Sequence, residues 1–371
     1  MPRNKKGKRG SGSRGSLRQE LLQLQLSAKA TLPCKGVRNG VKVESGASDD
    51  ELASEVLSHY SSASEGASVQ EEGPGSEPVD EQSAQEEAED KLKQCIDDLM
   101  DKSVKTRLAA LESLRQAFSG RLLGDFLLER RLTLSDCLER SLRKGGGEEQ
   151  AAAARVSVLL CVQLGGGPEG EEGFKTLRPA LCTVLSDSCA SMAARHSCAT
   201  ALGMCCYVSA ADDVEDLCKS LSHLESVFTS SYPNRDGVLP AHKPGTLALH
   251  CAALQAWELL VTLCPASRLR TLLDQHLPKL QACLASSDVD FRIAAGEAIA
   301  LLFELGRDVD QDFLFQDTAE LCAHLKVLAT DGNKHRAKAD RRKQRSIFRE
   351  VLHYIENEDF TEEKIRFGVF I

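Results

Sequence analysis

The feature of this sequence that most constrains its fold is an internal repeat of side-chain sizes. Arg107 is followed by Ala110 at +3, Leu114 at +7 and Ala117-Phe118 at +10 and +11. These offsets fall on one face of an α-helix, and the order small, large, large recurs along the chain. Six positions start such a segment, the last more loosely than the others: Arg107, Ala151, Arg195, His250, Arg292 and Arg345. The differences between these numbers are 44, 44, 55, 42 and 53 residues.

A period near 44 residues is typical of armadillo and HEAT arrays, in which the last helix of each unit lines the inner surface. The long step of 55 residues coincides with a Pro/Gly-rich insertion over 232–245. Aromatic residues make up only 5% of the chain, and no sustained β-branched alternation occurs. The sequence therefore predicts an all-α, armadillo/HEAT-like helical-repeat superhelix, with helix starts at a Ser103 cap and at a capping-box-like Thr133-Leu134-Ser135-Asp136.

Charge is distributed unevenly along the N-terminal part. Residues 1–18 hold seven Lys and Arg and no acid, whereas residues 44–90 hold fifteen Asp and Glu and no Lys or Arg. Chains this polar bury too little apolar surface to offset the entropy of ordering. We therefore expect a disordered tail over 1–88 and a helical-repeat domain over 89–371.

The fourteen cysteines do not show the spacing of a metal or disulfide scaffold. No two are three residues apart, and Cys198, Cys205 and Cys206 lie within apolar helical stripes. This pattern predicts reduced thiols in the core of a nucleocytoplasmic protein, with no metal site. No apolar run approaches the roughly 18 residues that cross a bilayer, so we expect no membrane contact.

No motif in the sequence supports catalysis. Two G-x-G-x-x-G strings occur, starting at Gly10 and Gly165, but neither follows a strand, and the second runs into acidic residues that would repel a phosphate. His196 and Cys198 are two apart and would point to different faces of a helix. We expect no catalytic residues, no cofactor and no small-molecule substrate.

A cationic segment near the C-terminus is the most distinctive local feature. It contains one acid, Asp340, among eight basic residues: Lys334, Arg336, Lys338, Arg341, Arg342, Lys343, Arg345 and Arg349. On a helix over about 334–357, Lys334, Lys338, Arg341, Arg345 and Arg349 fall within an arc of about 80°. Ile347, Phe348, Val351 and Ile355 occupy a neighbouring arc that can dock on the preceding repeat. The segment thus predicts an anchored helix that presents a cationic ridge.

Three interpretations of this ridge remain open. The first is a solvated face or a docking strip for the acidic tail. The second is a nuclear-import signal over 338–345 together with 5–9, and the third is a contact to nucleic-acid backbone. Arg suits phosphate oxygens because its planar fork donates two hydrogen bonds. With few aromatics nearby for base stacking, the nucleic acid would be structured RNA or a duplex.

Several stretches resemble the interferon-related developmental regulator family. They are residues 128–134 (LERRLTL), 161–165 (CVQLG), 292–297 (RIAAGE), 300–305 (ALLFEL) and, most specifically, 329–338 (ATDGNKHRAK). The resemblance implies an armadillo-like fold without enzymatic activity. It also implies two kinds of role, a ribosome-bound repressor of translation during differentiation and a transcriptional co-regulator working with histone-deacetylase co-repressors.

The ending departs from the family pattern. Relatives continue past the equivalent of Arg366-Phe367-Gly368 into a further region, whereas this sequence stops at Ile371. In the family that region supplies the helix placed in the ribosome's mRNA path. The resemblance therefore leads us to expect a chain that binds ribosomes without occluding that path, or a truncated form.

Our leading hypothesis is a cytoplasmic, ribosome-associated repressor that contacts ribosomal RNA through the basic helix. The alternative is a nuclear scaffold that binds co-repressor proteins on the inner surface of the array, with the basic cluster serving import.

Overall fold

A computed structural model describes residues 81–332 and 337–358, with side chains described from residue 85 onward. These residues belong to one compact unit that spans Pro78–Ile371. Within the described ranges the chain forms twelve α-helices, a short 3-10 helix over Thr229–Ser231 and no strand. The helices are α1 Glu81–Asp98, α2 Val104–Gly120, α3 Gly124–Lys144, α4 Gly147–Leu164, α5 Pro168–Ser186, α6 Met192–Ser209, α7 Val214–Phe228, α8 Thr246–Val261, α9 Ala266–Cys283, α10 Val289–Val309, α11 Thr318–Thr330 and α12 Lys338–Asn357.

The helices form six consecutive pairs arranged in two layers. Each odd-numbered helix packs on the even-numbered helix that follows it, from α1 on α2 to α11 on α12. The even-numbered helices also stack on one another in order, α2 to α12, and form a continuous even layer. All six predicted repeat positions lie in this even layer, which confirms the armadillo-like fold predicted from their spacing.

Short polar and glycine residues set many of the helix ends. The hydroxyl of Ser103 accepts a hydrogen bond from the Thr106 amide at 3.4 Å, which confirms the predicted cap of α2. Ser191 and Asp288 cap α6 and α10 in the same way. Gly165, at φ +75°, ends α4 in a conformation that a β-carbon disfavours.

The predicted helix start at Thr133 is wrong. Helix α3 begins nine residues earlier, at Gly124, because Phe126 and Leu127 already lie in the core and extend the apolar face toward the N-terminus. Ser135 is a buried residue within this helix. The preceding turn is held instead by Gln163 of α4, whose amide accepts from the Leu123 amide at 3.1 Å and donates to the Phe118 carbonyl at 2.9 Å.

A polar side chain near the N-terminus of each even-numbered helix fastens the helix pair together. In five pairs it donates to a backbone carbonyl at or just after the end of the preceding odd-numbered helix, and in α8 it contacts the Ser231 hydroxyl. We call these six side chains the latches. The bonds are Arg107 to Asp101 (2.9 Å), Gln150 to Leu142 (2.9 Å), Arg195 to Leu185 (2.9 Å), His250 with Ser231 (2.6 Å), Arg292 to Ser286, and Gln344 to Leu328 (3.3 Å).

The latches correct the predicted repeat register at two positions. The equivalent residue in α4 is Gln150, not Ala151, and in α12 it is Gln344, not Arg345. Counted from Gln150, the residues at +3, +7, +10 and +11 are all buried, whereas the original register placed exposed Val162 in the core. Counted from Gln344, the +7, +10 and +11 residues Val351, Tyr354 and Ile355 are buried.

Small residues bring the even-numbered helices close together. At Gly203 of α6, an added β-carbon would lie 2.7 Å from the β-carbon of Ala256 in α8 and 3.0 Å from its Cα. Cys198, Cys205 and Cys206 are fully buried nearby, as their apolar stripe predicts. All cysteines within the described ranges are free thiols.

The insertion over 232–245 is a loop, as its Pro and Gly content predicts, and buried polar contacts fix its two ends. The Tyr232 hydroxyl lies 2.7 Å from Nδ1 of His276, and Nε2 of His242 lies 2.9 Å from the Ser231 hydroxyl. Burial lowers the pKa of His250 to about 4, so its ring is neutral and contacts Ser231 without a charge.

The boundary of the predicted tail differs from the structure. Helix α1 begins at Glu81, so residues 81–88, which the sequence placed in the tail, are helical. Their acidic residues and the apolar face that begins at Leu92 belong to one helix. The rest of the predicted tail lies outside the described residues. In the described ranges, no helix combines the length and the apolar character needed to traverse a bilayer.

Replacing Gly203 by Ala tests the close packing of α6 on α8. We expect a loss of about 1–3 kcal/mol in the free energy of unfolding, because the new methyl group meets backbone atoms of α8 that cannot move aside. Urea unfolding followed by circular dichroism measures it. Gly124→Ala is the matched control, since no atom beyond its own chain neighbours and helix backbone lies within 4 Å of the new methyl group, and it should leave stability unchanged or slightly raised. Equal effects of the two substitutions would contradict the packing account.

Replacing Arg107 by Met tests the latch of α2. Arg107 also pairs with buried Glu149 of α4, with Nη2 2.7 Å from Oε2, and this hydrogen bond holds the pKa of Glu149 below its usual value. At pH 7 we expect a loss of about 3 kcal/mol, because a buried carboxylate is left without its partner.

The sign of the pH dependence follows from the lowered pKa of Glu149. The pair stabilises the fold above the unfolded-state pKa of about 4.3, and that contribution is lost as the pH falls through the folded-state value. The difference in the free energy of unfolding between wild type and Arg107→Met, measured by urea unfolding, should therefore become smaller below about pH 4. A difference that stays constant with pH would contradict this assignment.

Candidate nucleic-acid interface

Helix α12 is amphipathic, and its apolar side anchors it to the body of the protein. Phe348 is fully buried and fits against Gly296 of α10, where a β-carbon would lie 2.6 Å from the ring. Val351 and Ile355 are also buried, which confirms the predicted docking face. The glycine therefore provides the space that lets α12 pack closely on α10.

Polar contacts hold both ends of α12. Near its N-terminus the buried latch Gln344 accepts a hydrogen bond from Arg292 of α10 at 2.5 Å. At its C-terminus Arg307 of α10 donates to the carbonyls of Tyr354 (3.2 Å) and Ile355 (2.8 Å), which lie in the last turn, where a helix runs out of its own backbone donors. Helix α10 thus holds α12 near both of its ends, and the latch from Gln344 to Leu328 ties α12 to α11 as well.

Five basic side chains share one side of α12. We call them the basic ridge: Lys338, Arg341, Arg342, Arg345 and Arg349. At 100° per residue they span an arc of about 100°, and the distance along the axis from Lys338 to Arg349 is about 16 Å. Lys334 and Arg336, which the sequence also assigns to the site, lie outside the described residues.

The members of the ridge differ in exposure. Lys338, Arg342 and Arg349 are exposed, and none of them has an ion-pair partner among the described residues. Arg341 and Arg345 are half-buried, and Nε of Arg345 donates to the Arg341 carbonyl at 3.2 Å. Three exposed cations and two cations restrained by packing are therefore available to an anion.

Lys343 belongs to a different side of the helix. It lies about 140° from Lys338 and forms an ion pair with Asp290 of α10, with Nζ 2.9 Å from Oδ1. This hydrogen bond raises the pKa of Lys343. The sequence includes Lys343 in the site, but the structure does not bring it together with the ridge.

Sequence reasoning missed the residues that position the ridge. Arg307 is 48 residues before the carbonyl of Ile355 that it caps, and no local signal links the two. Gln344 lies next to the expected repeat position Arg345, and only its hydrogen bonds distinguish it. Nζ of Lys326 in α11 lies 2.7 Å from Oε1 of Glu356. This ion pair neutralises Glu356, which lies on the same side of α12 as the ridge, close to the end of the helix.

The second glycine string forms a helix-to-helix turn. Gly165 ends α4, and an added β-carbon at Gly170 would lie 2.0 Å from the Gly165 carbonyl oxygen. Glu169 and Glu171 occupy the first turn of α5, where they would repel a phosphate. The first string lies outside the described residues. Within the described ranges no group of three or more His, Cys, Asp and Glu side chains is arranged to hold a metal ion.

Solved structures with a similar arrangement of helices include engineered proteins. One engineered protein aligns with a TM-score of 0.45 and 16% identity, covering 74% of this chain and 99% of its own. A designed armadillo repeat protein aligns with a TM-score of 0.42 and 17% identity, covering 70% of this chain and 99% of its own.

Relatives of much higher identity cover most of the chain. Interferon-related developmental regulator 2 of Mus musculus is 58% identical over 296 residues, which are 80% of this chain and 67% of the relative. Interferon-related developmental regulator 1 is 48% identical over 322 residues in both Sus scrofa and Homo sapiens, covering 86% of this chain and about 70% of each relative. The profile described as "Interferon-related developmental regulator (IFRD)" matches residues 56–356. The chain therefore belongs to the interferon-related developmental regulator family.

Proposed function

We propose that this chain is a non-enzymatic repressor of translation that associates with ribosomes during differentiation and contacts ribosomal RNA through the basic ridge. The observation that supports this proposal is a row of cations on a helix that is anchored at both ends. Three of these cations are exposed and form no ion pair with any described residue. Arg predominates in the row, and its guanidinium donates two parallel hydrogen bonds to phosphate oxygens.

The kind of RNA follows from what the ridge contains. Phe348 and Tyr354 of α12 are buried, and the exposed imidazole of His353 lies with Nδ1 2.9 Å from the side-chain amide of Asn357. The described part of the ridge therefore offers charge and hydrogen-bond donors without an exposed Phe, Tyr or Trp on which bases could stack. Such a surface suits the phosphate backbone of structured or double-stranded RNA and not single-stranded bases.

The anchoring of α12 favours this use. A long cationic side chain loses conformational entropy when it binds, and a loosely held helix would lose more. The latch Gln344, the fit of Phe348 on Gly296 and the cap from Arg307 order the helix before any partner arrives. The proposal places the chain in the cytoplasm when it acts on ribosomes.

Charge reversal of the exposed ridge tests the proposal. In Lys338→Glu/Arg342→Glu/Arg349→Glu, we expect ribosome association to weaken by about tenfold or more, because phosphate contacts are replaced by repulsion. Sucrose-gradient sedimentation from low to moderate salt measures the fraction that travels with ribosomes. These three side chains are exposed, so the fold should be retained, and circular dichroism checks this.

The matched control reverses three exposed lysines at the other end of the stack, Lys91→Glu/Lys102→Glu/Lys105→Glu. It changes the net charge by the same amount and should leave sedimentation close to that of wild type. If the ridge variant sediments with ribosomes as well as the control does, the ridge is not the contact.

A second candidate function is a nuclear scaffold for histone-deacetylase co-repressors. The observation that favours it is the even layer, in which six stacked helices offer one continuous surface of the kind that repeat proteins use for partners. Basic clusters at 338–345 and 5–9 would serve nuclear import. Immunoblots for deacetylase subunits after pull-down from nuclease-treated nuclear extract separate the two proposals, since a scaffold retains these subunits without nucleic acid.

A further inference from the structure

Exposed and half-buried carboxyl groups line one side of α8 and α10. Asp290, Glu297 and Glu304 recur every seven residues on α10, which keeps them on one stripe with a drift of about 20° per step and a spacing of about 10 Å. Glu258 of the neighbouring helix α8 lies close enough for the charge of Glu297 to raise its pKa. We call these four residues the acidic strip.

Three of the four carboxyl groups form no direct ion pair with a described residue. Among the described residues, Glu258, Glu297 and Glu304 form no ion pair. Burial between the helices raises the pKa of all three, and that of Glu258 most strongly. Oε1 of Glu258 is closed off from solvent and has no hydrogen-bond partner in the described part of the chain. An enclosed acceptor without a donor is unfavourable, and a positive charge placed at the open side of the half-buried Glu258 side chain would offset that cost.

The protein itself shows which chemical group fits this strip. The ammonium of Lys343 reaches across from α12 to Asp290 at 2.9 Å. The same positive charge partly opposes the effect of burial on the pKa of Glu297, which stays raised. One end of the strip is therefore already occupied by a lysine side chain, whereas the carboxyl groups of Glu258 and Glu304 have no such neighbour among the described residues.

We propose that the acidic strip binds an extended, lysine- or arginine-rich segment of a partner protein. Packed helices have axes about 8–10 Å apart, and in an extended polyproline II conformation residues three apart point to the same side and are separated by about 9 Å. Two basic residues three apart therefore reach Glu258 and Glu297 together. Nucleic acid is excluded from this strip by repulsion, so the proposal is independent of the RNA contact on the basic ridge.

A labelled peptide tests this proposal on the full chain. The probe is a fluorescein-labelled peptide in which lysine occupies every third position among alanines, and its binding is followed by fluorescence anisotropy. In Glu258→Gln/Glu297→Gln we expect about tenfold weaker binding, since glutamine keeps the shape of the side chain but cannot ionise to pair with an incoming lysine. The control Glu148→Gln/Glu320→Gln alters two exposed acids away from the strip and should bind as wild type does.

Two further measurements separate specific recognition from general attraction between opposite charges. A peptide of the same composition with its lysines in one block should bind several-fold more weakly than the spaced peptide. Lys343→Ala should strengthen binding several-fold, because it frees Asp290 and Glu297 for the peptide. Ribosome sedimentation of Glu258→Gln/Glu297→Gln should be unchanged, which distinguishes this proposal from the proposed function.

Three results would overturn the proposal. They are the absence of measurable peptide binding to the wild-type chain, equal affinity of the strip variant and its control, and weaker binding by Lys343→Ala. Circular dichroism melts of each variant show whether the fold is intact, and Gln substitutions keep the size of the side chains they replace.

Discussion

Each even-numbered helix is fastened to the helix before it by one polar side chain near its N-terminus, and the positions of all later helices depend on this contact. The end of a helix leaves carbonyl groups without partners, and the latches satisfy some of them from the next helix. Arginine and glutamine each supply a donor at the end of a side chain long enough to reach back across the turn, and the neutral ring of His250 contacts the Ser231 hydroxyl instead. Six repetitions of this contact turn separate helix pairs into one continuous stack.

The last latch determines what the surface near the C-terminus presents. Gln344 fixes the rotation of α12, so Phe348 points into the body, Lys343 meets Asp290 and the basic ridge faces solvent. If α12 were rotated about its axis by 100°, the angle between successive residues, part of the basic ridge would face the body of the protein. Two surfaces of opposite charge therefore lie on neighbouring helices, the basic ridge on α12 and the acidic strip on α8 and α10. Each suits a different class of partner.

The sequence predicted the fold because the repeat is long and the packing positions recur on one helical face. The register was wrong in α4 and α12 because Ala151 and Arg345 fit the size pattern almost as well as their neighbours, and only the hydrogen bonds distinguish Gln150 and Gln344. Thr133 looked like a cap because the apolar residues before it, Phe126 and Leu127, are separated from it by charged residues.

The ridge was predicted by helical geometry alone. The pairing of Lys343 and the cap from Arg307 depend on contacts about 50 residues apart in sequence, which no local pattern encodes.

The central claim is that the basic ridge neutralises RNA phosphates, and the salt dependence of binding measures this directly. The dissociation constant of the full chain for a structured ribosomal RNA fragment would be determined by fluorescence anisotropy across a range of salt concentrations. If the five cations of the ridge each neutralise one phosphate, the logarithm of the association constant falls against the logarithm of salt concentration with a slope of about −3.5 to −4.5. A slope near zero, or the same slope after charge reversal of Lys338, Arg342 and Arg349, would contradict the account.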